Sequence, residues 1–120
     1  MIKIKTNEWG NIDIEKEVIE TIAGLATVDC YGLVGMVPID WQSGITSILG
    51  LESIRKGVLV RSGEEGLIID VHVIVGYGIK ISEVASNVIQ KVAYVVQNNT
   101  GLKVVAVNVN VKGIKVLTGK

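Results

Sequence analysis

Phenylalanine is missing from this sequence, and proline, cysteine and histidine occur once each, as Pro38, Cys30 and His72. Each shortage excludes something. A single cysteine forms no internal disulfide and no four-thiolate metal site. A single histidine with no cluster of other ligands falls short of the three or four donors a zinc site needs. Charge of one sign is also missing: 12 basic residues balance 12 acidic ones, for a net charge of +0. That removes the broad positive field expected of a duplex-binding domain. There is no run of about 18 apolar residues, so no membrane span is encoded. The opening Met1-Ile2-Lys3-Ile4-Lys5 alternates apolar and basic residues and lacks the apolar core of a signal peptide. Reduced cytoplasm is the compartment these shortages favour.

What is present is β-branched and glycine-rich. Hydrophobic residues make up 48% of the 120 positions, charged residues 20%, and there are 14 glycines. A chain of this size buries about two-thirds of its unfolded surface, enough for one core. A single domain over 1–120 is expected, since no linker-like stretch divides it.

Periodicity places the elements. Residues 2–6 alternate as a short edge strand, with lysines that discourage pairing at its free edge. Asn7 to Asn11 read as a turn. Asp13 is placed to cap a helix over about 14–28, with Ile14, Val18, Ile22 and Leu25 at helical spacing and Ile19, Ala23 and Ala26 beside them. Leu33 to Val37 reads as a short strand that Pro38 ends. Residues 38–55 look irregular, with Trp41 and a short amphipathic turn carrying Ile45, Ile48 and Leu49. Ser43 or Thr46 could cap that turn. A hairpin follows, from Val58 to Arg61 through Ser62-Gly63-Glu64-Glu65-Gly66 to a return strand over Leu67–Val75. A second helix spans about 80–98, and Gly101 supplies the left-handed residue that ends many helices. The final strand alternates Val105, Val107, Val109 and Val111 with Ala106, Asn108, Asn110 and Lys112. Two helix-to-strand units, each joined by Gly-Leu (Gly32-Leu33 and Gly101-Leu102), hint at internal duplication. The fold class expected is α/β (α+β): a two-layer sandwich, with a mixed sheet of about four to five strands and two helices on one face.

Candidate chemistry is sparse. Gly76-Tyr77-Gly78 sits between strand and helix, as a dinucleotide fingerprint would. Ile81 replaces the third glycine, however, and Lys112 stands where a ribose-binding acid would. A tight turn is the better reading. Asp70 and His72 lie two apart on one strand face and read as a solvent or interface polar pair. Cys30 follows the first helix, away from its positive end, and reads as a small buried hydrophobe. Asn108 and Asn110 are unusual, because asparagine is disfavoured in strands. They point to cross-strand hydrogen bonding or to a partner. Trp9 and Trp41 lie in loops. With Ile45, Ile48 and Leu49 these tryptophans could form a contact surface, or the loop could fold its apolar side back over the sheet. The catalytic, cofactor and metal assignments are therefore none. The candidate interaction surface is Trp41, Ile45, Asp70, His72, Asn108 and Asn110. RNA binding is disfavoured because the strands lack stacking aromatics and basic flanks.

Several segments, taken in order and spacing, carry a resemblance: Gly10-Asn11-Ile12-Asp13-Ile14, Ile22-Ala23, Tyr31-Gly32-Leu33-Val34-Gly35-Met36, Lys56-Gly57-Val58, Tyr77-Gly78, Thr100-Gly101-Leu102, and Val107-Asn108-Val109-Asn110-Val111 followed by Gly113. The chain resembles the alkaline shock protein family of Gram-positive bacteria, over nearly its whole length. It is most similar to the short branch often encoded beside dihydroxyacetone-kinase-like proteins linked to fatty-acid phosphorylation. The resemblance implies a non-enzymatic, cytoplasmic protein of the cell-envelope stress response. It further implies a homo-oligomeric scaffold or adaptor, reaching the membrane through an anchoring partner. The alternative it implies is an accessory to the kinase-like enzyme.

Overall fold

The structure is a computed structural model and describes residues 2–40 and 50–116. The elements in chain order are β1 (Ile2–Asn7), β2 (Gly10–Ile14), α1 (Lys16–Val28), β3 (Leu33–Met36), α2 (Gly50–Lys56), β4 (Val58–Ser62), β5 (Leu67–Gly76), α3 (Ile81–Thr100) and β6 (Val104–Lys115). The expected mixed α+β fold is observed, with α1 and α3 on one face of a four-stranded sheet.

β5 is the centre of that sheet. It is apolar along almost its whole length, as a strand paired on both edges should be. On one side it pairs parallel with β6, from Leu67–Val104 to Gly76–Lys115. A parallel neighbour needs a long crossover, and α3 supplies it. On the other side two short antiparallel strands lie end to end: β4 against Leu67–Val71 and β3 against Val73–Val75. His72 sits at the junction. Its carbonyl accepts from the Val37 amide at 3.1 Å, and its amide donates to the Gly57 carbonyl at 2.9 Å. The chain thus leaves the sheet edge after Val37 and rejoins it at Gly57.

The core lies between the sheet and the helices. Leu67, Ile69, Val71, Val73 and Val75 of β5 share one face and meet Ile19 and Ala23 of α1 and Val84, Val88, Val92 and Val96 of α3. The α3 contacts recur every fourth residue, which keeps them on one helical line. Thr100 extends that line, and its hydroxyl donates to the Val96 carbonyl, so burial leaves it satisfied. Gly101 ends the helix in the left-handed region at φ 77°, where glycine carries no Cβ penalty.

Three expectations fail. Residues Gly10–Ile14 are not turn and helix start but a strand, paired antiparallel with β1 as a separate hairpin. The helix then starts at Lys16, with Glu15 as its N-cap and no side-chain cap bond. Asp13 is spent in the hairpin, opposite Lys3. Second, the buried face of α1 is rotated. Its buried residues are Ile19, Ala23, Gly24, Ala26 and Thr27, whereas Val18 and Leu25 remain 46% and 48% exposed. The cause is α2, absent from the sequence reading as a helix: a Cβ at Gly24 would collide with Ile54. Small residues let the two backbones approach, and the bulky ones are turned aside. Third, the two Gly-Leu joins are alike locally, with Gly32 at φ 93° and Gly101 at φ 77°. The strands they lead into are not: β3 runs antiparallel to β5 and β6 parallel, on opposite edges.

Candidate interaction surface

The even-numbered residues of β5 face away from the helices. Ile68, Asp70, His72 and Ile74 share that face with Leu59 of β4, and with Ala106, Asn108 and Asn110 opposite them on β6. Asp70 is the hub. Its carboxylate accepts from the Arg61 guanidinium at 2.9 Å and from the Asn108 amide at 2.6 Å. Three strands are thereby tied by one side chain, which is only 13% exposed while Arg61 is 55% exposed. Charge-assisted bonds of this kind are stronger than neutral ones, although the exposed arginine tempers the gain. Asn110 donates across the same face to the Val71 carbonyl at 3.3 Å. The two asparagines that look misplaced in a strand are therefore used in cross-strand bonding.

His72 corrects the sequence reading. It does not face solvent; only 7% of it is exposed. Its Nδ1 lies 3.0 Å from the Gly57 carbonyl, which also accepts its backbone amide. Asp70 and His72 are neighbours on one face but take different partners. Trp41 and Ile45 lie outside the described residues, as do Ser43, Thr46, Ile48 and Leu49.

The other candidates resolve into structural roles. Tyr77 of the Gly76-Tyr77-Gly78 turn donates its amide to the Lys115 carbonyl at 2.9 Å, and Gly76 donates to Gly32 at 3.1 Å. Those amides are committed inside the protein and do not point at a phosphate. Cys30 is partly buried, and its thiol lies 3.5 Å from the Ala26 carbonyl. Burial pushes the thiol pKa up, with nearby Lys91 pulling it down and Asp29 adding to the rise. A raised thiol holds less of the reactive thiolate. Glu20 is also shifted: burial raises it, Arg55 opposes, and Glu17 adds to the rise. Among the described residues no group of three or more His, Cys, Asp or Glu could hold a metal ion, and no helix is long and apolar enough to cross a membrane.

Of two exposed features, sequence reasoning named Trp9 and missed the other, a groove between the helices. Trp9 caps the tip of the β1–β2 hairpin, where its amide donates to the Asn7 side chain, and it is 87% exposed. An open groove of about 550 Å³ runs between α1 and α3, lined by Ile22, Leu25, Val28 and Val95, with the Lys91–Asp29 ion pair across it at 3.1 Å. The surplus apolar residues Leu25 and Val95 in the two helix patterns were the available signal.

Known proteins place the chain. The uncharacterized protein YloU of Bacillus subtilis is 48% identical over 116 residues, covering 96% of each chain. The uncharacterized protein Spy1614 of Streptococcus pyogenes is 36% identical over 117 residues, covering 97% of this chain and 96% of that one. A stress response regulator gls24 homolog, also of Streptococcus pyogenes, is 29% identical over 106 residues, covering 88% of this chain and 59% of that one. No solved structure matches the chain. The model of the alkaline shock protein 23 family, of cell envelope-related function, matches residues 4–116, and the chain belongs to that family.

Proposed function

We propose that this protein is a non-catalytic scaffold or adaptor of the cell-envelope stress response, working in the cytoplasm by self-association and protein contact. The observation that carries this reading is the Arg61–Asp70–Asn108 bonding across three strands on the face that the helices leave uncovered. Polar side chains held in place before contact lose little freedom on binding, which is how a docking surface gains affinity. Membership of a family with cell envelope-related function supplies the setting. The names of the gls24 homologs supply the stress response.

Two measurements test it. Sedimentation velocity over a dilution series reads self-association, and affinity isolation from the native cell reads partners. Concentration-dependent assembly together with a recovered envelope protein is the expected result. A monomer at every concentration with no partner recovered would sink the reading. Recovery of a dihydroxyacetone-kinase-like enzyme, with a change in its activity, would replace it with that of an accessory subunit.

A further inference from the structure

We infer that the outer edge of β6 is the self-association edge, pairing antiparallel with β6 of a second copy about a twofold axis at Asn108. The inference rests on the scaffold reading and names its surface. Among the described residues β6 pairs with β5 alone, so its other edge has no strand partner. The direction of its free groups follows from β5. Leu67 and Tyr77 aim their amides at β6, onto the Lys103 and Lys115 carbonyls, whereas His72 aims both backbone groups at the opposite edge. Odd residues of β5 thus serve β6. By the parallel hydrogen-bond pattern, Asn108 and Asn110 answer Val71, and Val107, Val109 and Val111 turn their N–H and C=O groups outward.

This edge lacks the usual deterrents to pairing. Exposed edges are blunted by charges, prolines, bulges or short strands. β6 is 12 residues long, and its stretch Ala106–Val111 contains no charge and no proline. Its two bulges fall outside that stretch, near Val105 and Lys112. The flanking lysines permit a second copy in this register and disfavour one neighbouring register. Centring on Asn108 places Ala106 opposite Asn110 of the second copy and Val107 opposite Val109. Lys112 then meets Val104, and Lys103 meets Gly113, so no lysine faces a lysine. A shift that centres on Val109 would set Lys103 against Lys115, and like charges directly opposite are destabilising. The axis stands perpendicular to the sheet. The product is one continuous sheet with α1 and α3 of both copies on one face and both Asp70 hubs on the other, an isologous contact.

The test uses the full chain with Cys30→Ser and one new cysteine at a time. At the centre, Asn108 meets itself in a non-hydrogen-bonded pair, with Cα atoms about 4.5 Å apart, inside the disulfide range. Asn108→Cys is expected to give a covalent dimer with oxidised glutathione, and Lys112→Cys is not. Val109→Pro removes an outward-facing N–H from each copy and leaves the Arg61–Asp70–Asn108 bonds in place. It is expected to weaken association at least tenfold in sedimentation equilibrium, with the circular dichroism spectrum unchanged. Assembly that persists in Val109→Pro, with no disulfide at position 108, would overturn this edge and leave the scaffold reading standing. A strict monomer for the unaltered protein would overturn both.

Discussion

The two faces of β5 do different work with neighbouring residues. On the helix face, Ile69, Val71 and Val73 are closed off from water within one apolar cluster. On the far face, Asp70 and His72 are nearly as covered, yet each holds its place by directional bonds. The first face is where burial supplies stability. The second fixes which groups stand where, at little stability cost, which suits recognition. A single strand thus separates the two demands by parity alone.

That contrast is open to attack from either side. The largest effect is expected on the helix face: Ile69→Ala should cost about 2–5 kcal/mol in chemical denaturation, from lost burial and the cavity left behind. Next comes the helix contact that turns α1. Gly24→Val forces a branched side chain into Ile54 and should cost about 1–3 kcal/mol, with thermal unfolding as the readout. On the polar face the loss should be smaller. Asp70→Ala strands Arg61 and Asn108, but arginine can turn to water, so about 1 kcal/mol is expected. If Asp70→Ala proved as damaging as Ile69→Ala, the division of labour would collapse.

The smallest effect concerns pH. The folded Glu20 carboxyl sits above its ordinary value of 4.5 because burial disfavours its charge. The unfolded chain therefore releases that proton more readily. Stability associated with the neutral form is full at acid pH and declines as pH climbs through the raised value. Glu20→Gln should remove this decline, giving a slight gain at neutral pH and none in acid. Denaturation midpoints at both pH values would check it. A gain confined to acid would reverse the sign of the argument.

Much of this contrast was legible in residue order. The α3 valines at four-residue spacing, the turn through Gly63 and Gly66, and alternation in the last strand each correspond to an observed element. These are local patterns with strong periodicity. What escaped depends on distant neighbours. Gly10–Ile14 contains Asn11 and Asp13, poor strand formers, and is a strand only because β1 pairs with it. The α1 face was misjudged because hydrophobic pattern rewards Val18 and Leu25, whereas close packing against Ile54 rewards Ala23 and Gly24. His72 was read by parity as a surface or interface residue, whereas it is buried and bonded to the chain returning at Gly57. The Asp70–Asn108 bond joins residues 38 apart and leaves no sequence signature beyond two odd asparagines.

The junction at His72 has a wider consequence. Residues 38–56 depart and return beside one another: a Cβ on Gly57 would lie 2.9 Å from the Val37 carbonyl. For the sheet this passage is a detour whose two ends are clamped by one residue of β5. Its length is thermodynamically cheap to alter, because closing a longer loop adds only about 0.6 kcal/mol per doubling. A change of length ahead of α2 therefore leaves every strand its neighbour and Ile54 its place against Gly24.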